Sequence, residues 1–70
     1  MSILRLEYPM QYFNEVDKNL YNLIIKFNGS IINSGAGFGV RDIEIKFPSQ
    51  KHIDMFLPQV PSFIKIVGRA

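Results

Sequence analysis

The chain contains no cysteine and no tryptophan, and it has one histidine and five glycines among its 70 residues. The lack of cysteine excludes disulfides and thiolate metal sites. With His52 as the single histidine, a metal site would depend on carboxylates, and we expect neither a metal nor another cofactor. The stability of so small a domain must then come from apolar packing, aided where necessary by self-association.

An excess of one charge sign is also absent. Eight basic and six acidic residues give a formal charge of +2 and a pI of about 9.2, and no two basic residues are adjacent. Nucleic-acid-binding domains usually concentrate Lys and Arg on one face. The charge therefore indicates an anionic partner only weakly, and nucleic acid remains an alternative.

Long apolar runs are missing as well. The longest contain three residues, as in Leu23–Ile25, so we expect no membrane span. The first residues alternate between charged and apolar side chains, unlike the apolar stretch of a secretory signal. These features predict a cytoplasmic protein.

The chain does have enough apolar residues for a core. Hydrophobic residues make up 47% of the sequence, including six Phe and ten Ile, a content that argues against disorder. Seventy residues suffice for one domain, so we expect residues 1–70 to form a single compact unit.

Apolar periodicity predicts six secondary-structure elements in the order β-α-β-β-α-β. Asn28-Gly29 is expected to end the first helix with Gly29 in the left-handed conformation, and Ser49 is expected to cap the second helix. Pro58 should limit that second helix to about two turns. The predicted strands are 2–8, 30–33, 40–47 and 62–67, and the predicted helices are 10–28 and the segment between Ser49 and Pro58.

This order favours an α+β fold with a four-stranded antiparallel sheet, in spatial order 4-1-3-2, and both helices on one face. That is the ferredoxin-like arrangement. The alternative is an α+β fold in which the short strand 30–33 does not pair. The ferredoxin-like architecture carries many unrelated functions, so it predicts no activity.

The glycine-rich stretch Ser34–Gly39 is the most unusual feature of the sequence. Its glycines, Gly35, Gly37 and Gly39, alternate with other residues and precede a predicted strand, so the spacing matches neither the dinucleotide-binding fingerprint nor a P-loop. One interpretation is a hairpin turn or bulge. The other is a binding loop, with Phe38 as an exposed anchor and Arg41 as a partner for an anion.

Arg41 and Asp42 form the only Arg-Asp neighbours in the chain. Adjacent residues of a strand point to opposite faces, so the two cannot share one site without a bulge. Arg41 has the parity of Ile43 and Ile45, which directs it inward unless a bulge near Gly39 intervenes. The alternatives are a structural salt bridge or loop contact, and contact with a ligand or partner.

The sheet face opposite the helices is expected to carry charges of both signs, which can pair across strands. Apolar residues left on that face could cover the sheet of a second copy in a homodimer. RNA-recognition sheets instead display aromatic side chains on their central strands. The candidate interface residues on this face are Ile3, Arg5, Lys46, Phe63, Lys65 and Val67.

No arrangement of residues indicates an enzyme. His52 is expected at the surface in the first turn of the second helix, and Ser49 is better explained as a cap than as a nucleophile. Tyr12, Tyr21 and Ile25 lie off the main apolar stripe of the first helix. They form either the edge of the core or a rim for a partner.

Three functional hypotheses follow. The first is a small non-enzymatic protein-binding or regulatory module, of the type of phage or mobile-element inhibitors and adaptors, which acts by occupying a surface as a homodimer or with a larger partner. The second is weak nucleic-acid binding. The third is binding of a small anionic ligand, such as a nucleotide, by the Gly35–Gly39 loop and Arg41.

Overall fold

The computed structural model describes residues 2–9 and 13–70 as an α+β protein with a four-stranded antiparallel sheet and two α-helices. The predicted helix residues 10–12, including Tyr12, lie outside the described part. The elements are β1 (Ser2–Pro9), α1 (Phe13–Lys26), β2 (Ser30–Gly37), β3 (Val40–Phe47), α2 (Gln50–Phe56), a 3₁₀ turn (Leu57–Gln59) and β4 (Lys65–Arg69).

The sheet has the order β2-β3-β1-β4, which reads β4-β1-β3-β2 from the other edge. All three pairings are antiparallel, with β1 and β3 in the centre. β2 forms a ladder with β3 from Ser30 to Gly37. The alternative fold, in which strand 30–33 does not pair, is therefore wrong. β2 and β4 are therefore the two edge strands.

The core lies on one face of this sheet. Alternate residues of β1 and β3 point to it, and both helices contribute side chains to the same cluster. Tyr8 belongs to this cluster, yet its buried hydroxyl has no hydrogen-bond partner among the described residues. The buried apolar residues are Leu4, Leu6, Tyr8, Val16, Leu20, Ile24, Ile43, Ile45, Phe47, Ile53, Phe56 and Ile64.

The C-terminus of α1 corrects one expectation. Asn28, rather than Gly29, takes the left-handed conformation, with φ of 62°. The Gly29 N–H donates to the Ile24 carbonyl at 2.7 Å and the Asn28 N–H donates to the Ile25 carbonyl at 3.1 Å, the hydrogen bonds of a Schellman motif. Gly29 is required for another reason, because a Cβ there would lie 2.8 Å from Cε1 of Phe47.

The glycine-rich stretch is mostly strand, which corrects the predicted boundary at residue 33. β2 continues through Gly35 to Gly37, and only Phe38 and Gly39 form the turn. A register shift after Ile31 leaves Ile32 without a partner in β3, so the ladder bulges there rather than near Gly39. The strand is longer than predicted because its small residues can still pair through their backbone.

The last strand also differs from the prediction. β4 begins at Lys65 instead of residue 62, and Phe63 lies in the preceding turn. The pairing of β4 with β1 shifts register between Arg5 and Leu6, which makes Val67 the extra residue of a bulge. Simple alternation therefore does not predict which side chains share a face at this end of the sheet.

Candidate binding surface

The tip of the β2–β3 hairpin consists of Phe38 and Gly39. Both have positive φ, 54° and 79°, as the two central residues of a type I′ turn require. Asn or Gly normally occupies the first of these positions, because a left-handed conformation costs other residues roughly 1 kcal/mol. The Phe38 side chain is fully exposed, at 108% of its reference area. A large aromatic ring is thus held in solvent at a strained position.

The β2 edge leads away from this tip. Its sequence, SIINSGAG, contains no charged residue and no proline. Edge strands are usually protected by charges, prolines or bulges, because their outward N–H and C=O groups can pair with another chain. The bulge places Ile32 about half exposed on this edge, whereas the segment from Asn33 to Gly37 pairs regularly with β3. Most of β2 therefore lacks the usual protection.

An apolar depression lies at the other end of β2, where α1 meets the strand. It has a volume of about 200 Å³ and is bordered by Tyr21 and Ile25 of α1 and by Gly29 and Ile31. Ile25 is 71% exposed. We define the hairpin tip, the β2 edge and this depression together as the β2 surface.

Arg41 does point inward, because no bulge near Gly39 changes the alternation of β3. Its Nε donates to both carboxylate oxygens of Asp17 in α1, at 3.0 and 2.7 Å, and the two side chains are only 11% and 13% exposed. Nη2 also lies 3.5 Å from the Tyr21 hydroxyl. Asp42 is exposed and faces away from α1. The ion pair thus ties α1 to β3, consistent with the structural interpretation of Arg41.

The glycines do not form an anion cradle with Arg41. Gly35 and Gly37 lie in an extended strand, in which successive N–H groups point in opposite directions rather than converging. A Cβ at Gly35 would approach the Asp42 carboxylate at 3.0 Å, so the nearest charged group is negative.

The open face of the sheet is polar and internally paired. Arg5 lies directly opposite Glu44 and forms a salt bridge with it at 2.7 Å, and Lys65 lies opposite Glu7. Ile3 and Lys46 face each other beside this pair and are half-buried. Within residues 2–9 and 40–47, the residues that share this face include no aromatic side chain.

One residue assigned to that face needs correction. Phe63 instead borders a groove of about 450 Å³ between α1 and the segment before β4, together with Val16, Leu20 and Leu23. It leaves the open face because the turn at 62–64 interrupts the predicted alternation. Val67 is the bulge residue of β4, so strict alternation does not set its orientation.

His52, the only histidine, contacts Ser49 at the start of α2. His52 Nδ1 lies 2.9 Å from the Ser49 hydroxyl. Ser49 occupies the N-cap position as predicted, but its hydroxyl does not bond a backbone N–H of α2. Within the described residues, no group of three or more His, Cys, Asp or Glu side chains could hold a metal ion.

All three arginines of the chain have carboxylate partners. Arg69 contacts Asp54 and donates to Gln50 at 2.7 Å, which fastens β4 to α2, while Arg5 and Arg41 pair as described above. Guanidinium groups held in this way are less available to phosphates than free ones.

Comparisons with known proteins give no assignment: no protein-family model matches the sequence, and no curated protein matches it significantly. Across the described residues, neither helix has the length and apolar character needed to cross a membrane.

Sequence reasoning singled out Phe38, Tyr21 and Ile25 and placed strand 30–33 at the sheet edge, but it missed the bulge at Ile32 and the length of β2. The usable signal was Gly39 alone, because Phe-Gly is not among the dipeptides that favour a two-residue hairpin turn.

Proposed function

We propose that this protein is a small non-enzymatic binding module that acts by covering a surface of a protein partner. The β2 surface is the contact region, and the exposed ring of Phe38 is its anchor. Regulators, inhibitors and adaptors work in this way, and a cytoplasmic location and a phage or mobile-element setting fit the size and composition of the chain.

The observation that carries the proposal is the conformation of Phe38. A fully exposed aromatic ring at positive φ stabilises nothing within the domain. Strained residues of this kind persist mainly where function requires them. Aromatic anchors also dominate the binding energy of protein interfaces.

Other sites favour this proposal over the two alternatives. Nucleic-acid binding usually relies on basic groups clustered on one face, whereas the three arginines pair with carboxylates and Lys65 lies opposite Glu7 on a face of mixed charge. Small-anion binding needs converging N–H groups, which an extended strand does not offer. The contact between Ser49 and His52 does not favour an enzymatic role, because it is local to the start of α2.

We also infer that the fold is ferredoxin-like. Its support is the neighbour order β4-β1-β3-β2, antiparallel throughout, with α1 between β1 and β2, and α2 between β3 and β4. In this arrangement β2 is an edge strand, so the proposed contact region follows directly from the topology.

Affinity capture from an extract of the source cells tests the proposed function. The baits are the wild-type protein, Phe38→Asn, and Lys51→Ala as a matched surface control on α2. We expect a stoichiometric protein to be retained by the wild type and by Lys51→Ala and to be lost with Phe38→Asn. The proposal would be overturned if Phe38→Asn retained the same protein as the wild type, or if the bound fraction consisted of nucleic acid.

A further inference from the structure

We infer that the partner seated on the β2 surface is a second copy of this chain, with the two β2 strands paired antiparallel across a two-fold axis. This inference rests on the proposed function, because it uses the same surface, and it names the partner. The resulting dimer would have one continuous eight-stranded sheet.

The two sheet edges differ in a way that favours self-pairing through β2. β4 carries Lys65 and Arg69, charges that disfavour edge-to-edge pairing, whereas each edge strand contains one bulge, at Val67 in β4 and at Ile32 in β2. β2 is uncharged, so two copies of it do not repel each other. Its last four residues, from Ser34 to Gly37, are small, so this half of the two strands can approach without steric conflict.

The side-chain alternation limits such a pair to two-fold axes that pass through a residue rather than between two residues. Ser34 and Ala36 share a face with Ile43 and Arg41, whereas Gly35 lies opposite Asp42 on the other face. We place the axis at Ser34 or Gly35, within the segment Asn33–Gly37 that pairs regularly with β3. Either axis places Phe38 opposite residues 30–32 of the second copy.

Residues 30–32 adjoin the apolar depression, so the pairing brings each Phe38 to the depression of the other copy. The depression lies one strand length from Phe38, about 24 Å at the rise of a β-strand. The depression is open to solvent on one side, and its volume of about 200 Å³ is larger than the enclosed cavity of about 150 Å³ that binds benzene in another protein. The protein thus carries an exposed ring and an apolar depression on the same edge, and either axis brings the two together twice, as an isologous two-fold interface does.

The surface available is adequate for a specific interface. If they were wholly covered, the exposed parts of Tyr21, Ile25, Ile32 and Phe38, together with the β2 backbone, would bury an area on the order of 700 Å² per copy, at about 150–250 Å² for a whole aromatic side chain. A standard interface buries about 800 Å² per partner.

Sedimentation velocity with a charge-swap pair tests the inference. Phe38→Glu and Ile25→Lys each place one charge in the predicted contact, and both native side chains are exposed, so both variants should fold. Lys51→Glu, on the helix beside β4, is the control. We expect the wild type and the control to sediment at twice 8.1 kDa, and each variant alone to dimerise at least 10-fold more weakly.

An equimolar mixture of the two variants should recover a heterodimer. At one end of its interface, the carboxylate introduced by Phe38→Glu meets the ammonium introduced by Ile25→Lys. At the other end, the native ring meets the native depression.

A wild-type protein that stays monomeric at about 200 μM, well above the range of specific dimers, would overturn the inference. So would a dimer that is indifferent to both variants, or a mixture that does not recover it. If the protein is monomeric but the affinity-capture experiment retains a different protein in a Phe38-dependent way, the self-pairing is wrong and the proposed function is supported. If dimer and Phe38-dependent capture are both absent, both fall.

Discussion

Replacement of Phe38 by Asn should make the protein more stable while it removes binding. The Asn-Gly sequence is the preferred centre of a type I′ turn, and Phe38 and Gly39 already have the positive φ values of that turn. The substitution therefore keeps the backbone and changes only the residue that is strained in it.

The expected gain in the free energy of unfolding is about 1 kcal/mol. A left-handed conformation costs an ordinary residue about 1–2 kcal/mol, and Asn avoids most of this cost. The substitution removes no buried apolar area that would offset this gain, since the Phe38 ring is fully exposed in the folded domain. For a domain of this size, a gain of about 1 kcal/mol raises Tm by roughly 4–8 °C.

Urea denaturation and calorimetry measure this effect. Protein at about 1 μM keeps any contribution from self-association small, because such a contribution depends on concentration. Gly39→Ala is the matched control in the same turn: its φ of 79° disfavours Ala, while the ring remains. We expect Gly39→Ala to lose about 1 kcal/mol and still to bind when folded.

A loss of stability in Phe38→Asn would refute this reasoning, because it would mean that the ring supports the domain itself. An increase in stability together with unchanged binding would refute the assignment of Phe38 as an anchor.

Three further predictions concern the stability of the domain, and a fourth concerns nucleic-acid binding. Tyr8→Phe removes a buried hydroxyl that has no partner among the described residues, so thermal unfolding should show unchanged or higher stability, by up to about 1 kcal/mol; a clear loss would indicate a hidden partner. Gly29→Ala should destabilise the protein by about 1–3 kcal/mol, since its Cβ would clash with the ring of Phe47; wild-type stability would contradict this packing. Arg41→Ala should lower the free energy of unfolding by about 3 kcal/mol, because it leaves the largely buried Asp17 carboxylate unpaired. Arg5→Ala, on the open face, should lower it by less than about 1 kcal/mol. Equal losses of stability in urea denaturation would refute this distinction. Fluorescence anisotropy at low salt should detect no binding to DNA or RNA, and salt-sensitive binding would restore the nucleic-acid hypothesis.

The order and type of the elements could be predicted from the sequence because the apolar periods are clear. Alternation in residues 2–8 and 40–47 and helical spacing between Val16 and Ile24 each bury one consistent face. The inward direction of Arg41 also follows from strand parity.

The remaining errors have identifiable physical causes. β2 extends to Gly37 because backbone pairing with β3 outweighs the weak strand propensity of Gly and Ser. Bulges at Ile32 and Val67 break the alternation, and no residue type at these positions predicts a bulge. Phe63 is displaced from the open face by a turn whose start the apolar pattern did not define. The left-handed Asn28 was missed because its neighbour is a glycine, the more permissive residue.

The central claim is that the hairpin tip and the β2 edge are covered by another protein chain. Incorporation of a photo-reactive phenylalanine analogue at position 38, with the same analogue at the exposed position 51 as the control, tests it most directly. The account predicts one discrete protein cross-link from position 38 that is absent from position 51. Equal cross-linking from the two positions, or none from position 38, would contradict it.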